Sequence, residues 1–132
     1  MPESIVIVAA RRTPIGGFQG IFSPVSATQL GSFAAAAALA DSGLSPDAID
    51  EVIFGCVLPA GLGQAPARQA AVGAGIAMSV PATTVNKMCG SGMKAVMLAA
   101  DQIRAGSART ILAGGLESMT NAPYLMLKAR AG

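Results

Sequence analysis

At 132 residues the chain is long enough for one domain with a single core. Hydrophobic residues make up 52% and charged residues only 12%, against about 25% charged in an ordinary soluble domain, so a membrane, a partner subunit or more chain is expected to cover part of the surface. The net charge of +2 comes from scattered basic residues, with one Tyr and no Trp, which speaks against a nucleic-acid surface.

No run reaches the roughly 18 apolar residues of a spanning helix, so no membrane insertion is expected. Met1, Pro2, Glu3 and Ser4 precede an apolar run to Ala9 with no basic stretch before it. A signal peptide is therefore not expected, and the cytoplasm is the expected location. Cys56 and Cys89 stand 33 residues apart in a chain without histidine. That leaves too few ligands for a zinc site, and a cytoplasmic chain argues against a disulfide.

Ser4–Ala10 is an apolar run and predicts a strand buried on both faces. A glycine-rich loop, Thr13–Gly20, follows. Ser26 with Gln29 three residues later predicts a capped helix start, and Gly43 its stop. Leu30, Phe33, Ala34, Ala37 and Ala38 share one face of that helix, and the alanine run invites close approach by another backbone. Ser45-Pro46 opens a short turn of helix. Glu51–Leu58 predicts a second strand, Gly61–Gln64 a loop, and Pro66 the first position of a helix ending near Gly75. Thr83–Met88 predicts a third strand, and Gly90 to Ala105 a helix apolar around most of its girth and hence buried. Arg109–Gly114 completes the set. Strands alternating with helices specify an α/β domain with a mostly parallel sheet.

The chemistry concentrates where the third strand gives way to the helix, at Val85 to Lys94. Cys89 sits at the junction, and Gly90 and Gly92 leave room for a substrate against the backbone. A helix start turns its free amides and positive end toward the sulfur, which favours thiolate and an oxyanion. That effect amounts to about one pKa unit, and no histidine is present to supply more. On spacing alone Cys89 is either a nucleophile or an inert thiol at a strand end. Cys56, inside an apolar strand, reads as buried and inert. Ser91 lacks a base and reads as a backbone partner at the helix start, while Lys87 and Lys94 read as surface or interface charges. The run Gly61 to Pro66 begins like a dinucleotide loop, but Pro66 replaces the third glycine. Cys89 to Gly92 lacks the Gly-Lys-Ser/Thr of a phosphate loop.

Asn86-Lys87-Met88-Cys89-Gly90-Ser91-Gly92 resembles the thiolase segment that bears the acylated cysteine. Ala10-Arg11-Arg12-Thr13-Pro14-Ile15-Gly16, Gly61-Leu62-Gly63-Gln64-Ala65-Pro66-Ala67-Arg68-Gln69 and Gly114-Gly115-Leu116-Glu117-Ser118-Met119-Thr120-Asn121-Ala122-Pro123-Tyr124 resemble three flanking blocks of the same family, in order. The resemblance implies a layered α/β fold whose amino-terminal half holds a mostly parallel sheet and a buried central helix. On that basis residues 1–120 form the half that carries the nucleophile, and 121–132 begin a loop region.

The implied activity is that of an acetyl-CoA acetyltransferase. An acyl group passes between coenzyme A thioesters through acyl-Cys89, either by Claisen condensation or by cleavage of a 3-ketoacyl-CoA. The Cys89 N–H is implied to help hold the oxyanion. No cofactor is implied beyond the acyl-CoA substrate, and the assembly implied is a homo-oligomer, dimer or tetramer. The family's activating histidine and second cysteine fall outside the matching segments, and Cys56 does not inherit the latter role. The chain is therefore expected to be an amino-terminal part with little turnover of its own. Ketosynthase-type condensing enzymes share the fold and the cysteine, but the Asn-Lys-x-Cys-x-Ser-Gly pattern fits thiolases more closely. A non-catalytic module that binds a partner through apolar surface is the reading from another class.

Overall fold

The computed structural model describes residues 4–131. Met1, Pro2 and Glu3, which open the segment where a signal peptide would lie, are outside the described residues, as is Gly132. Three strands form one parallel sheet. β1 (Glu51–Gly55) lies between β2 (Ala82–Val85) and β3 (Ile111–Gly115). The register sets Val52 beside Ala82 and Leu112, and Gly55 beside Val85 and Gly115. A central strand covered on both faces has no solvent side, so its sequence is apolar without alternation. Val52, Ile53, Phe54 and Cys56 are accordingly all buried, and each of the three larger side chains contributes roughly 1.5–3 kcal/mol.

Alternation along β1 divides the core. Val52, Phe54 and Cys56 join one cluster with Ala27, Ala35 and Leu39 of α1 (Ala27–Ser42) and Ala67, Ala70 and Ala71 of α2 (Pro66–Gly73). Ile53 points the other way, against Ala95 and Ala99 of α3 (Ser91–Arg104). Helices thus lie on both faces of a parallel sheet, an α/β arrangement in which binding sites form beyond the carboxyl ends of the strands.

α1 begins and ends where its punctuation predicts. Ser26 Oγ accepts from Gln29 N at 3.2 Å, Gln29 Oε1 accepts from Ser26 N at 2.9 Å, and Gly43 closes the helix at φ 69°. Its buried face is not the one predicted. Phe33 is 58% exposed, and the helix buries Ala27, Thr28, Gly31, Ser32, Ala35 and Leu39 instead. The cause is close approach. A Cβ on Gly31 would lie 2.7 Å from Leu116 Cδ2 and 3.2 Å from Ala70 Cβ, and one on Gly73 would lie 2.3 Å from Ser32 Oγ. Packing against α2 selects the smallest side chains, whereas a hydrophobicity pattern weights the largest.

Two further expectations need correction. Ser4–Ala10 pairs with no strand among the described residues, and Val6, Ile7 and Val8 are exposed. An apolar run becomes a strand only beside a partner that satisfies its N–H and C=O groups, and this run has none among the described residues. Among the described residues the sheet therefore has three strands rather than four. α3 is covered on one side only by this chain: Ser91, Ala95 and Ala99 face the sheet, while Met93, Val96 and Met97 face outward. The loops are pinned by side chains. The exposed Asp50 carboxylate accepts from Arg109 N at 2.7 Å and Thr110 N at 2.9 Å, and these N–H groups, Arg109's first, lower its pKa. Gln69 Nε2 donates to Leu62 O at 2.6 Å and Gln64 O at 2.8 Å, holding the glycine loop before α2.

Candidate active site

The sheet's ladder continues a step beyond the strands. Cys56 N donates to Val85 O at 3.0 Å and Leu116 N to Gly55 O at 3.0 Å, which keeps the three carboxyl ends in line. From the end of β2 the chain turns sharply into α3. Gly90 N donates to Lys87 O and Ser91 N to Met88 O, each at 3.1 Å, so Lys87 to Ser91 wind as two overlapping turns. Met88 takes φ 51° there, a left-handed conformation that costs a residue other than glycine on the order of 1–3 kcal/mol.

Ser91 holds that strained turn. It is 4% exposed; its Oγ accepts the Lys87 N–H at 2.8 Å and donates to Met88 O at 2.6 Å. The hydroxyl is committed to the backbone on both counts, as the sequence suggested. Glycines set the height of the helix above the sheet. A Cβ on Gly55 would lie 2.4 Å from the carbonyl carbon of Ser91, and one on Gly115 would lie 3.3 Å from Gly92 Cα.

Cys89 is the product of this construction. It is exposed, lies one residue before the N-cap Gly90, and stands at the carboxyl edge of the sheet. The first turn of α3 directs its unpaired amides toward that end. A hollow of about 280 Å³ lies away from Cys89, between Arg11–Pro14, Phe22 and the outer face of α1. Cys89 itself is exposed. Lys87 is exposed beside it and Lys94 is half-buried one turn into α3.

Cys56 has the opposite setting. It is 1% exposed, and its Sγ lies 3.8 Å from Glu117 Oε1. Burial, and then the negative charge of Glu117, push its thiol up to about 11. At neutral pH it is a protonated core residue. Glu117 itself is a site residue that chemistry-first reading passed over. Its carboxylate accepts from Val57 N at 2.8 Å and Leu58 N at 2.9 Å, clamping the chain that leaves β1. A signal was present: an acid in an otherwise uncharged stretch just after an apolar strand is costly to bury without donors. Asn86, noted only as part of a motif, accepts from Met88 N at 3.0 Å and donates to Val57 O at 3.4 Å. Among the described residues no group of three His, Cys, Asp or Glu is placed to hold a metal ion.

This geometry sits in a sequence with close relatives. A family described as "Thiolase, N-terminal domain" matches residues 5–132. Acetyl-CoA acetyltransferase 2 of Arabidopsis thaliana is 56% identical over 131 residues, which is 99% of this chain and 32% of that protein. The mitochondrial acetyl-CoA acetyltransferase B of Xenopus laevis is 55% identical over 94% of this chain and 30% of its own length. The acetyl-CoA acetyltransferase of Saccharomyces cerevisiae is 53% identical over 100% of this chain and 34% of its own. The chain spans about a third of the length of these curated relatives. The match over 5–132 and the level of identity establish that the chain belongs to the thiolase family, through that family's amino-terminal domain.

Proposed function

We propose that this chain supplies the acyl-accepting cysteine of an acetyl-CoA acetyltransferase. The observation that carries the reading is the exposed Cys89 on the turn braced by Ser91, at the start of α3. The relatives' names supply the substrate class.

The steps follow from the chemistry of a thiolate beside thioesters. Cys89 Sγ attacks the carbonyl carbon of an acyl-CoA; the new C–S bond forms as the bond to the CoA sulfur breaks. The proton of the Cys89 thiol ends on the departing CoA thiol. In the second half, a proton leaves the α-carbon of another acyl-CoA. The resulting carbanion attacks the acyl-Cys89 carbonyl, a C–C bond forms, and Cys89 leaves as thiolate to regain its proton. The reverse sequence cleaves a 3-ketoacyl-CoA with free CoA. In this reading the Cys89 N–H, at the positive end of α3, shares the oxyanion of each tetrahedral intermediate.

Two proton transfers remain to be assigned. There is no histidine in the chain, and Cys56 is buried with its thiol raised to about 11. These 132 residues alone should therefore turn over slowly, since each missing acid–base group is worth about 10²–10⁴-fold. In this reading the working enzyme is a homo-oligomer in which further polypeptide supplies those groups. The test is thiolysis of acetoacetyl-CoA by the full gene product and by residues 1–132 separately, each with a Cys89→Ala control. Activity of the full product that vanishes in Cys89→Ala supports the reading. Activity that persists there refutes it.

A further inference from the structure

We propose that Glu117 is a positioning residue for Cys89, acting through the Val57 peptide and Asn86 on the backbone of Met88. The inference rests on the acyl-transfer reading above. The four groups form one line of hydrogen bonds across the carboxyl edge of the sheet, from the segment after β3, over the end of β1, to the segment after β2. Glu117 Oε2 accepts from Val57 N at 2.8 Å and Oε1 from Leu58 N at 2.9 Å. The carbonyl of the same Val57 accepts from Asn86 Nδ2 at 3.4 Å, and Asn86 Oδ1 accepts from Met88 N at 3.0 Å. The line ends on the residue with φ 51°, immediately before the nucleophile.

Each link has a reason to matter. A left-handed residue persists only where its surroundings hold it there. Ser91 grips Met88 by its carbonyl, and Asn86 grips it by its N–H. Asn86 in turn depends on where the Val57 carbonyl points, and the Val57–Leu58 backbone is fixed by two N–H bonds to one carboxylate. A glutamine at 117 keeps one acceptor and turns an NH₂ toward the other N–H, so Glu117→Gln breaks the clamp with little change in volume.

The experiment measures single-turnover acetylation of Cys89 by acetyl-CoA in the full gene product, across acetyl-CoA concentrations. Met88 amide hydrogen exchange is followed by NMR in the same proteins. The variants are Glu117→Gln, Asn86→Ala, their double, and Asn86→Asp, which keeps the Met88 acceptor but loses the donor to Val57. In each single variant the maximal rate should fall on the order of tenfold or more, because small misplacements of reacting groups are costly. The half-saturating concentration should stay as in wild type, and Met88 exchange should quicken. The double variant should lose no more than the worse single, because residues in one line are not additive. Wild-type acetylation rates in Glu117→Gln, or losses that multiply in the double, overturn the proposal. If Glu117→Gln fails to fold, Asn86→Asp decides by the same two readings. If wild type takes no acetyl group, the acyl-transfer reading fails on its own. Met88 exchange then decides the relay: faster exchange in Glu117→Gln or Asn86→Asp supports it, and unchanged exchange overturns it.

Discussion

Gly55 and Ser91 are in direct backbone contact: a Cβ placed on Gly55 would lie 2.4 Å from the Ser91 carbonyl carbon. The central strand and the start of α3 therefore touch at the point from which Cys89 projects. Gly55→Ala should force the helix start away from the sheet and destabilise the chain by about 1–3 kcal/mol, the usual cost of overpacking. Gly17→Ala is the control, since nothing lies within 4 Å of its added Cβ. Urea unfolding of both variants checks the contrast; equal midpoints would contradict the contact.

Ser91→Ala removes the acceptor of Lys87 N and the donor to Met88 O. That bond is part-buried, so leaving the Lys87 N–H without a partner should cost about 1 kcal/mol, the low end for a buried donor. The urea midpoint should fall by that energy divided by the slope, which should stay unchanged.

The turn explains which parts of the site were legible beforehand. Ser26, Gln29, Gly43 and Pro66 act on their own neighbours in sequence, so helix starts and stops were readable locally. Ser91 likewise acts on residues three and four positions back. Glu117 acts on Val57 and Leu58, 60 and 59 positions away, and nothing local announces such a pairing. The buried face of α1 was misjudged for a related reason. Gly31 and Ser32 are chosen by the nearness of Ala70, Gly73 and Leu116, which only the fold brings together. Ser4–Ala10 shows the same limit, because an apolar run carries no record of which strand should pair with it.

Cys56 and Cys89 should separate cleanly by alkylation. At neutral pH iodoacetamide should label exposed Cys89 and leave buried Cys56 unmodified, read by peptide mapping. Cys56 also has a pH signature. Its folded pKa is raised to about 11, so the neutral thiol favours the folded state below the unfolded thiol's pKa. That contribution is lost as pH rises through the interval up to about 11, where the unfolded chain releases the proton first. Stability should fall with alkaline pH over that window, and the fall should be shallower in Cys56→Ala.

The outward face of α3 predicts association. Met93 and Met97 are 74% and 53% exposed, and Val96 lies beside them. Residues 1–132 alone should self-associate at micromolar concentration, since contiguous apolar surface drives it. Replacing Met93 and Met97 by Glu should reduce the scattering mass measured by light scattering. An unchanged mass would place the contact elsewhere.

The proposed acyl transfer requires that the acyl group reside on Cys89. The direct measurement is to incubate the full gene product with isotopically labelled acetyl-CoA, quench in acid and map the label by peptide mass spectrometry. One acetyl group is expected on the peptide containing Cys89, released by free CoA and absent from Cys89→Ala. Label on Cys56 or another residue instead, or turnover by the Cys89→Ala protein, would contradict it.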